Sequence, residues 1–302
     1  MKPRKLNPAS KLRFLQHAAV VLLLWSTAQA AEWVGTADSN LDNGQNWRDM
    51  RHGNVMAALP QACTKNATRL SVVNGAGFPL CYTEANGATE FNEELLIGGN
   101  NGPSGELKVT GGTLTVQQIY SAIIGQTVEG KLTIFGGTVN LLGGSKDSAI
   151  PGCDTQWSVY LGNENTGSGL LTISGGELRV ENGIEIGRNG GSGILEISGN
   201  GRFTCGGPIL FSGGNGKASI ILGGGTFEQT KNEEILFLSD SNKGWFNFKK
   251  GSLGKISLCG RDKAYFDALV NDGRIRIDDL PTTPDHFTFN QNANQGELHL
   301  AE

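Results

Sequence analysis

The chain has 302 residues, 45 of them glycine, and a formal net charge of −4. Residues 1–30 hold five of the 25 basic residues and none of the 29 acidic ones, so the remainder carries a net charge of −9. This acidic balance argues against nucleic acid as a partner and against a basic membrane-binding surface.

Residues 1–30 have the pattern of an export signal. Basic residues come first, an apolar stretch follows over residues 14–25, and Ala28-Gln29-Ala30 forms an A-x-A cleavage site. The apolar stretch is too short to span a bilayer, and no later segment has 18 uninterrupted apolar residues. We expect a secreted, periplasmic or cell-surface protein that has no membrane span once the signal is cleaved.

The non-repetitive segment 31–92 is expected to be an N-terminal cap. It contains a calcium candidate, because four oxygen-bearing side chains fall at positions 1, 3, 5 and 12 of an EF-hand-like loop: Asp38, Asn40, Asp42 and Asp49. The loop glycine, Gly44, comes at position 7 instead of 6, and the flanks do not read as helices. We therefore favour an Asx-turn-rich cap and predict no metal and no cofactor.

Five cysteines follow the signal, and no C-x-x-C spacing suggests a metal site. Cys63 and Cys81 lie close together in the N-terminal segment and are the preferred disulfide for a chain exported to an oxidising compartment. Cys205 takes a position that is apolar in other copies of the repeat described next. We expect it to be a buried thiol that packs as a small hydrophobe.

Residues 93–258 repeat one unit about six times: an Ile/Leu-Gly step, a turn, a G-x-L-x-V run, a Gly-Gly corner and a second L-x-V run. The corner glycines Gly111, Gly136, Gly175, Gly199 and Gly224 are spaced 25, 39, 24 and 25 residues apart. A repeat period in the twenties indicates one supersecondary unit stacked on itself. The fold class predicted is all-β, a single-stranded parallel β-solenoid of about six coils.

Alignment on the corner glycines gives alternating columns, as half-buried strands require. Three columns are expected to be buried, and they begin at Leu107, Val109 and Leu114. Among the outward positions, Glu177 and Arg202 are expected to be opposite charges on adjacent coils.

The first strand of each coil departs from this alternation, because its outward positions are mostly apolar. They read Leu96, Ile123, Tyr160, Glu185 and Leu210. Such a row implies a cover, either another segment of this chain or a partner surface.

An insertion at about 143–156 accounts for the long spacing of 39 residues. Insertions at solenoid corners become loops, which often carry binding. Asp147, Asp154 and Trp157 are therefore candidate binding residues, together with Tyr160 and Glu185 of the outward row. The alternative is a loop that serves only as a lid on the rod.

Residues 259–302 are expected to be a C-terminal cap. The run from Asp262 has a helical pattern, and short strands are expected at 274–277, 287–289 and 297–300. Caps of this kind protect the open ends of a solenoid from edge-to-edge association.

The unit I-G-x(n)-G-x-L-x-I-x-G-G-x-L-x-V resembles the glycine-rich β-helix repeat of type V secretion autotransporter passengers and PEP-CTERM-associated proteins. The opening W-x-G-x(2)-D...N-W and the closing FDALVNDGRIRID are similar to the ends of secreted proteins from Gram-negative bacteria of the planctomycete and verrucomicrobial kind. The resemblance implies a right-handed β-helix at or beyond the cell surface. It implies no catalytic residues, since the repeat motif is structural.

The function expected is that of an exported, non-catalytic structural or adhesive element, with surface glycans or other matrix proteins as partners. The alternative is a polysaccharide lyase, a glycoside hydrolase or a glycan-binding module on a β-helix. A hydrolase needs two carboxylates at a fixed separation across a groove. In the coil columns the acids appear singly, as at Glu177, Glu185 and Glu196, so we predict no catalytic residues.

Overall fold

The chain is a β-solenoid of about seven turns, seen in a computed structural model. Three stacks of strands, called faces 1, 2 and 3, run along its length, and each turn contributes one strand to each face. The structure describes residues 31–34, 39, 47–49, 69–73, 75, 77, 79–91, 94–99, 102–117, 121–143, 157–213, 216–238 and 244–301.

Face 1 contains seven parallel strands. They are β3 (Arg69–Val72), β6 (Glu94–Ile97), β9 (Ala122–Ile124), β12 (Trp157–Leu161), β15 (Gly183–Ile186), β17 (Ile209–Phe211) and β19 (Ile235–Phe237). At its N-terminal end, β1 (Ala31–Trp33) pairs in parallel with β3, and β2 (Trp47–Asp49) pairs antiparallel with β1. The antiparallel pair ends the regular stacking on this face.

Face 2 contains eight parallel strands, as face 1 does once β1 is counted. It comprises β4 (Leu80–Tyr82), β7 (Gly105–Val109), β10 (Glu129–Ile134), β13 (Ser168–Ile173), the first halves of β16 (Ser192–Cys205) and β18 (Ala218–Gln229), β20 (Gly244–Phe248) and β22 (Ile275–Ile277). The two-residue strand β23 (Leu280–Pro281) pairs antiparallel with β22 and ends the face.

Face 3 completes each turn. It comprises β5 (Ala88–Phe91), β8 (Thr113–Gln117), β11 (Thr138–Leu142), β14 (Glu177–Val180), the second halves of β16 and β18, and β21 (Lys255–Cys259). An antiparallel hairpin of β25 (Gln295–Leu300) and β24 (Phe287–Asn292) extends this face beyond the last turn.

The strand registers confirm the three buried columns. Residues of one column lie side by side on successive turns, and their side chains are closed to solvent because the alternation of each strand turns them inward. The columns are Leu107, Leu132, Leu171, Leu195 and Ile220; Val109, Ile134, Ile173, Ile197 and Leu222; and Leu114, Val139, Leu178, Phe203 and Phe227.

The left-handed backbone at the Gly-Gly corners falls mainly on the second glycine. Gly112, Gly137 and Gly176 have φ of 72°, 77° and 70°, whereas their neighbours Gly111, Gly136 and Gly175 are not in that region. Only in the later turns do Gly199 and Gly224 themselves have positive φ. The pair is needed because one glycine bends the chain and the other lies against the backbone of the preceding turn.

The first of the seven turns, β3 to β5, lies within the segment assigned from the sequence to the N-terminal cap. Its corner is a 3₁₀ turn (Glu84–Asn86) instead of a Gly-Gly pair. The backbone N–H of Thr83 donates to Asn86 Oδ1, and the backbone N–H of Asn86 donates to the carbonyl of Thr83. The hydroxyl of Tyr82 donates to the carbonyls of Gly87 and Thr113, which ties this corner to the next turn.

The C-terminal cap begins with the helix expected from the sequence, α1 (Lys263–Asn271). The side chain of Asp262 accepts a hydrogen bond from the backbone N–H of Tyr265 and so caps the helix. Phe266 and Val270 are buried against the end of the core. The expected strands in this segment are present as β22, β24 and β25.

The core changes character along the rod. Trp33 and Tyr82 lie in it at the N-terminal end, the turns from β6 to β14 contribute Leu, Ile, Val and Ala side chains, and Phe rings enter it from β16 onward. Phe203 stacks on Phe227 with ring centroids 5.1 Å apart, and Phe211 stacks on Phe237 at 4.8 Å. Phe246 meets Phe211 and Phe227 edge-on, so the rings of three turns form one cluster.

Candidate functional site

The outward row of face 1 contains two of the five binding residues predicted from the sequence, and a third lies on the same strand as one of them. Its positions lie in register on successive turns: Ser71, Leu96, Ile123, Tyr160, Glu185, Leu210 and Leu236. Tyr160 and Glu185 are therefore adjacent on neighbouring turns, and Trp157 begins the strand that carries Tyr160.

Most of this row is buried by the chain itself, while Ile123 and Leu236 are only partly buried. Leu96 and Tyr160 are 6% exposed, and Glu185 and Leu210 are 7% exposed. In β6, β12 and β15 every residue is buried, so both sides of the sheet are covered. Of the two covers considered from the sequence, a segment of the same chain and a partner surface, the burial agrees with the first.

The two aromatic side chains of β12 pack against the apolar residues of the row. Trp157, Tyr160 and Leu210 form a buried cluster separate from the main core, and Ile123 and Leu236 pack against it. The hydroxyl of Ser121 donates to the carbonyl of Trp157 and holds the start of β12 to the preceding turn. Trp157 is thus buried although its counterpart on the next turn is Gly183, and Tyr160 is buried between Ile123 and Glu185.

Glu185 is the one carboxylate in this row, and polar partners surround it. The Ser212 hydroxyl donates to Glu185 Oε1 at 2.7 Å, and Arg188 Nε lies 3.6 Å from Glu185 Oε2. The guanidinium carbon of Arg188 lies 4.0 Å from the centroid of the Tyr160 ring. Arg188 thus neutralises the carboxylate and stacks on the aromatic neighbour at the same time.

Four other strand carboxylates are paired with cations on the same face. These pairs are Glu106 with Lys108 (3.2 Å), Glu129 with Lys131 (3.0 Å), Glu177 with Arg179 (2.7 Å) and Glu297 with Lys255 (3.0 Å). The expected pair of Glu177 and Arg202 on adjacent turns is present, with Nε and Oε1 3.7 Å apart.

Glu177 and Glu228 are both held by one cation, since Arg202 contacts each of them. Arg202 therefore bridges the two carboxylates and neutralises charge between them. The hydrogen bond from Arg179 lowers the pKa of Glu177, and a general acid for glycoside hydrolysis needs a raised pKa. This arrangement stabilises surface charge and is unsuited to hydrolysis.

Several predicted residues lie outside the described residues. They are Asp147 and Asp154 of the insertion, Cys63 of the proposed disulfide, and Asp38, Asn40 and Asp42 of the calcium candidate. Asp49 lies in β2, where the structure describes its backbone alone. The disulfide and the calcium loop therefore stay predictions. Cys81, Cys205 and Cys259 form no disulfide among themselves.

Cys205 is buried beside Val180 on face 3, as expected from its place in the repeat. Its thiol donates to the carbonyl of Asn182 at 3.1 Å. Burial raises the pKa of this thiol to about 12. A neutral thiol is a poor nucleophile, and Cys205 packs in the core as a small hydrophobe.

A groove at the C-terminal end was not predicted. One part has a volume of about 590 Å³ and is lined by Leu253, Ile277, Leu280, Pro281 and His286, among others. A second part of about 500 Å³ shares Ser252, Leu253 and Leu300 and continues past Lys255 and His299. The sequence signal for it is weak: two leucines, Leu253 and Leu280, stand in turn-like segments where polar residues are usual.

In the part of the chain that the structure describes, no group of three or more His, Cys, Asp or Glu side chains is placed to hold a metal ion. Within the same residues, α1 is far shorter than a helix that crosses a membrane, and no other helix qualifies. No protein-family model matches the chain, and comparison with curated proteins and with solved structures gives no match either.

Proposed function

We propose that the protein is an exported, non-catalytic structural or adhesive element of a bacterial surface or matrix. The observation that carries the proposal is the charge pairing along the faces. Five strand carboxylates lie against cations on the same or a neighbouring strand: Glu106, Glu129, Glu177, Glu228 and Glu297. A surface compensated in this way favours many weak contacts, and neither part of the described C-terminal groove is lined by two carboxylates.

The buried state of the face 1 row supports the same proposal. The enzyme alternative used Glu185 and its neighbours as one wall of a groove. Glu185 is instead 7% exposed and bonded to Ser212 and Arg188. A carboxylate in that position stabilises the stack of turns, and it does not face substrate.

Location is tested by protease accessibility. Intact cells that express the full chain are treated with a protease, alongside cells in which a known periplasmic protein serves as the control. We expect the protein to be digested while the periplasmic control stays intact. Protection equal to that of the control would contradict a surface location.

Catalysis is tested by a broad polysaccharide cleavage screen with the purified protein. We expect no cleavage. Cleavage that Glu185→Gln abolishes, while the matched variant Glu196→Gln on face 2 retains it, would overturn the non-catalytic proposal and assign the reaction to the face 1 row. Adhesion is then measured as binding of the purified protein to cells and to isolated matrix glycans.

A further inference from the structure

The C-terminal end of the rod carries most of the exposed large hydrophobic side chains. Among the described residues there are four: Phe135 at 54%, Leu238 at 72%, Leu253 at 89% and Leu280 at 67% exposure. Leu238 follows the last strand of face 1, Leu280 lies in the last strand of face 2, and Leu253 lies in the last turn. Three of the four therefore lie at one end.

The same end carries the free edge of a strand. β24 pairs with β25 on one side, and no described residue pairs with its other side. The backbone N–H of Ala301 donates to the carbonyl of His286. His286 and Ala301 are therefore a hydrogen-bonded pair at the end of the antiparallel β24–β25 ladder.

Hydrogen-bonded and non-hydrogen-bonded pairs alternate along an antiparallel ladder. With His286 bonded to β25, Thr288, Asn290 and Asn292 also bond to β25. The N–H and C=O groups of Phe287, Phe289 and Gln291 consequently point away from it, along the free edge.

The sequence of β24 lacks the features that usually protect an edge strand. The six residues Phe287–Asn292 include no charged residue and no proline. Native edges are commonly blocked by Lys, Pro or a bulge, and an unprotected strand of this kind pairs readily with another chain. Thr288, Asn290, Gln291 and Asn292 are exposed.

The edge is complementary to itself. If two copies meet antiparallel about Phe289, each Thr288 lies opposite Asn290 of the other copy, and Phe287 lies opposite Gln291. No like charges face each other, and the outward-pointing groups of Phe287, Phe289 and Gln291 supply donors and acceptors in matching order. In a twofold arrangement the free edge of β24 in each copy is paired with that of the other copy, so neither β24 edge is left for a third copy.

We propose that two copies of this chain dock through their C-terminal ends, with β24 of one copy pairing antiparallel with β24 of the other. Face 3 then continues as one sheet through both copies, and Leu253 and Leu280 are buried at the contact. The proposed occupant of this end is a second copy of the chain, and the result is a rod of twice the length.

The test begins with sedimentation equilibrium of the purified protein over a range of concentrations. We expect a reversible monomer–dimer equilibrium with no larger species. A monomer at every concentration overturns the proposal. Open-ended polymers also overturn it, since they would show a contact that does not close.

Gln291→Pro removes the N–H that points along the free edge and leaves the bonds to β25 in place. Because the twofold axis repeats the loss, we expect dimer affinity to fall at least about tenfold with unchanged circular dichroism. Dimerisation as tight as that of the parent protein overturns the proposal.

Leu253→Asp decides the question independently if Gln291→Pro does not fold. Leu253 is 89% exposed, so its replacement leaves the monomer intact. We expect dimer affinity to fall, whereas Phe135→Asp, at an exposed apolar side chain away from this end, leaves it unchanged. Equal effects of the two variants, or no effect of Leu253→Asp, overturn the proposal.

Discussion

The Ser212 hydroxyl donates a 2.7 Å hydrogen bond to the buried carboxylate of Glu185 on the preceding turn. The bond links two turns of the solenoid at the one charged position of an apolar row. A hydrogen bond to a buried charged group contributes about 1.5–3 kcal/mol, roughly twice the value for neutral partners.

Ser212→Ala is therefore expected to lower the free energy of unfolding by about 1.5–3 kcal/mol, since it leaves a buried carboxylate short of one donor. The measurement is urea denaturation. Ser121→Ala is the matched control, because the Ser121 hydroxyl donates to the uncharged carbonyl of Trp157. A loss in Ser212→Ala no larger than in the control would refute the special role of this bond.

Two glycines with nearly the same φ allow two costs of a substitution to be distinguished: the clash of a Cβ with the next turn, and the strain of left-handed backbone. Gly162 and Gly251 have φ of 71° and 72°. A Cβ at Gly162 would lie 1.9 Å from the carbonyl oxygen of Ser192, whereas a Cβ at Gly251 meets nothing within 4 Å.

Gly251→Ala is expected to cost about 1–2 kcal/mol, the strain of a left-handed alanine alone. Gly162→Ala should cost more than about 4 kcal/mol or prevent folding, because backbone of the next turn must move. Thermal unfolding of the two variants measures the difference. Similar losses in both would show that stacking contact is unimportant at Gly162.

Cys205 predicts a loss of stability in alkali. Burial raises the pKa of its thiol to about 12 from an ordinary value of 9.0. The folded chain keeps a proton that the unfolded chain loses above pH 9. This site's contribution is thus complete below pH 9 and falls by about 1.4 kcal/mol per pH unit up to pH 12.

Cys205→Val removes the titrating group and places there the residue found at Val116 and Val180 of the same column. The free energy of unfolding, measured by urea denaturation between pH 8 and 11, should fall less steeply with pH in the variant than in the parent protein. Equal slopes of unfolding free energy against pH in the two proteins would argue against a buried thiol.

In the parent protein at pH 8, we also expect Cys205 to resist thiol reagents that modify the half-buried Cys259.

Glu177 is expected to depend more on Arg179 than on Arg202. The hydrogen bond from Arg179 is the main cause that lowers the pKa of Glu177, and the charge of Arg202 contributes less. The stabilising contribution is present above the ordinary carboxyl pKa and is lost as pH falls through the lowered value. NMR titration should show a larger rise in the pKa of Glu177 in Arg179→Ala than in Arg202→Ala. The opposite order would contradict the assignment.

The alignment of the repeat predicted the fold well because each corner forces the strands on either side into register. Leu132 lies beside Leu107 and Leu171, and Glu177 lies beside Arg202, as the sequence columns predict. The outward apolar row of face 1 could also be recognised from the sequence, because the alternation places the apolar residues Leu96 and Tyr160 on the outer side of the sheet. Their burial is confirmed.

The first turn was missed because its corner has a different local chemistry. Tyr82 takes the place of Val109, and a 3₁₀ turn replaces the Gly-Gly pair, so alignment on glycine does not reach it. The C-terminal groove was missed for another reason. It forms where the β24–β25 hairpin turns antiparallel against β21, and a repeat period contains no information about the element that ends it.

The aromatic cluster makes the turns of the solenoid unequal in stability. Phe203 and Phe227 take the column positions that Leu114, Val139 and Leu178 hold in the earlier turns, and a phenyl ring buries more apolar surface than an aliphatic side chain. In a stack where each turn contacts mainly its neighbours, unequal turns melt unequally. We expect amide hydrogen exchange to be slowest around β16 and β18 and to quicken toward β3, so that folding starts near the C-terminal end and winds back toward the N-terminus.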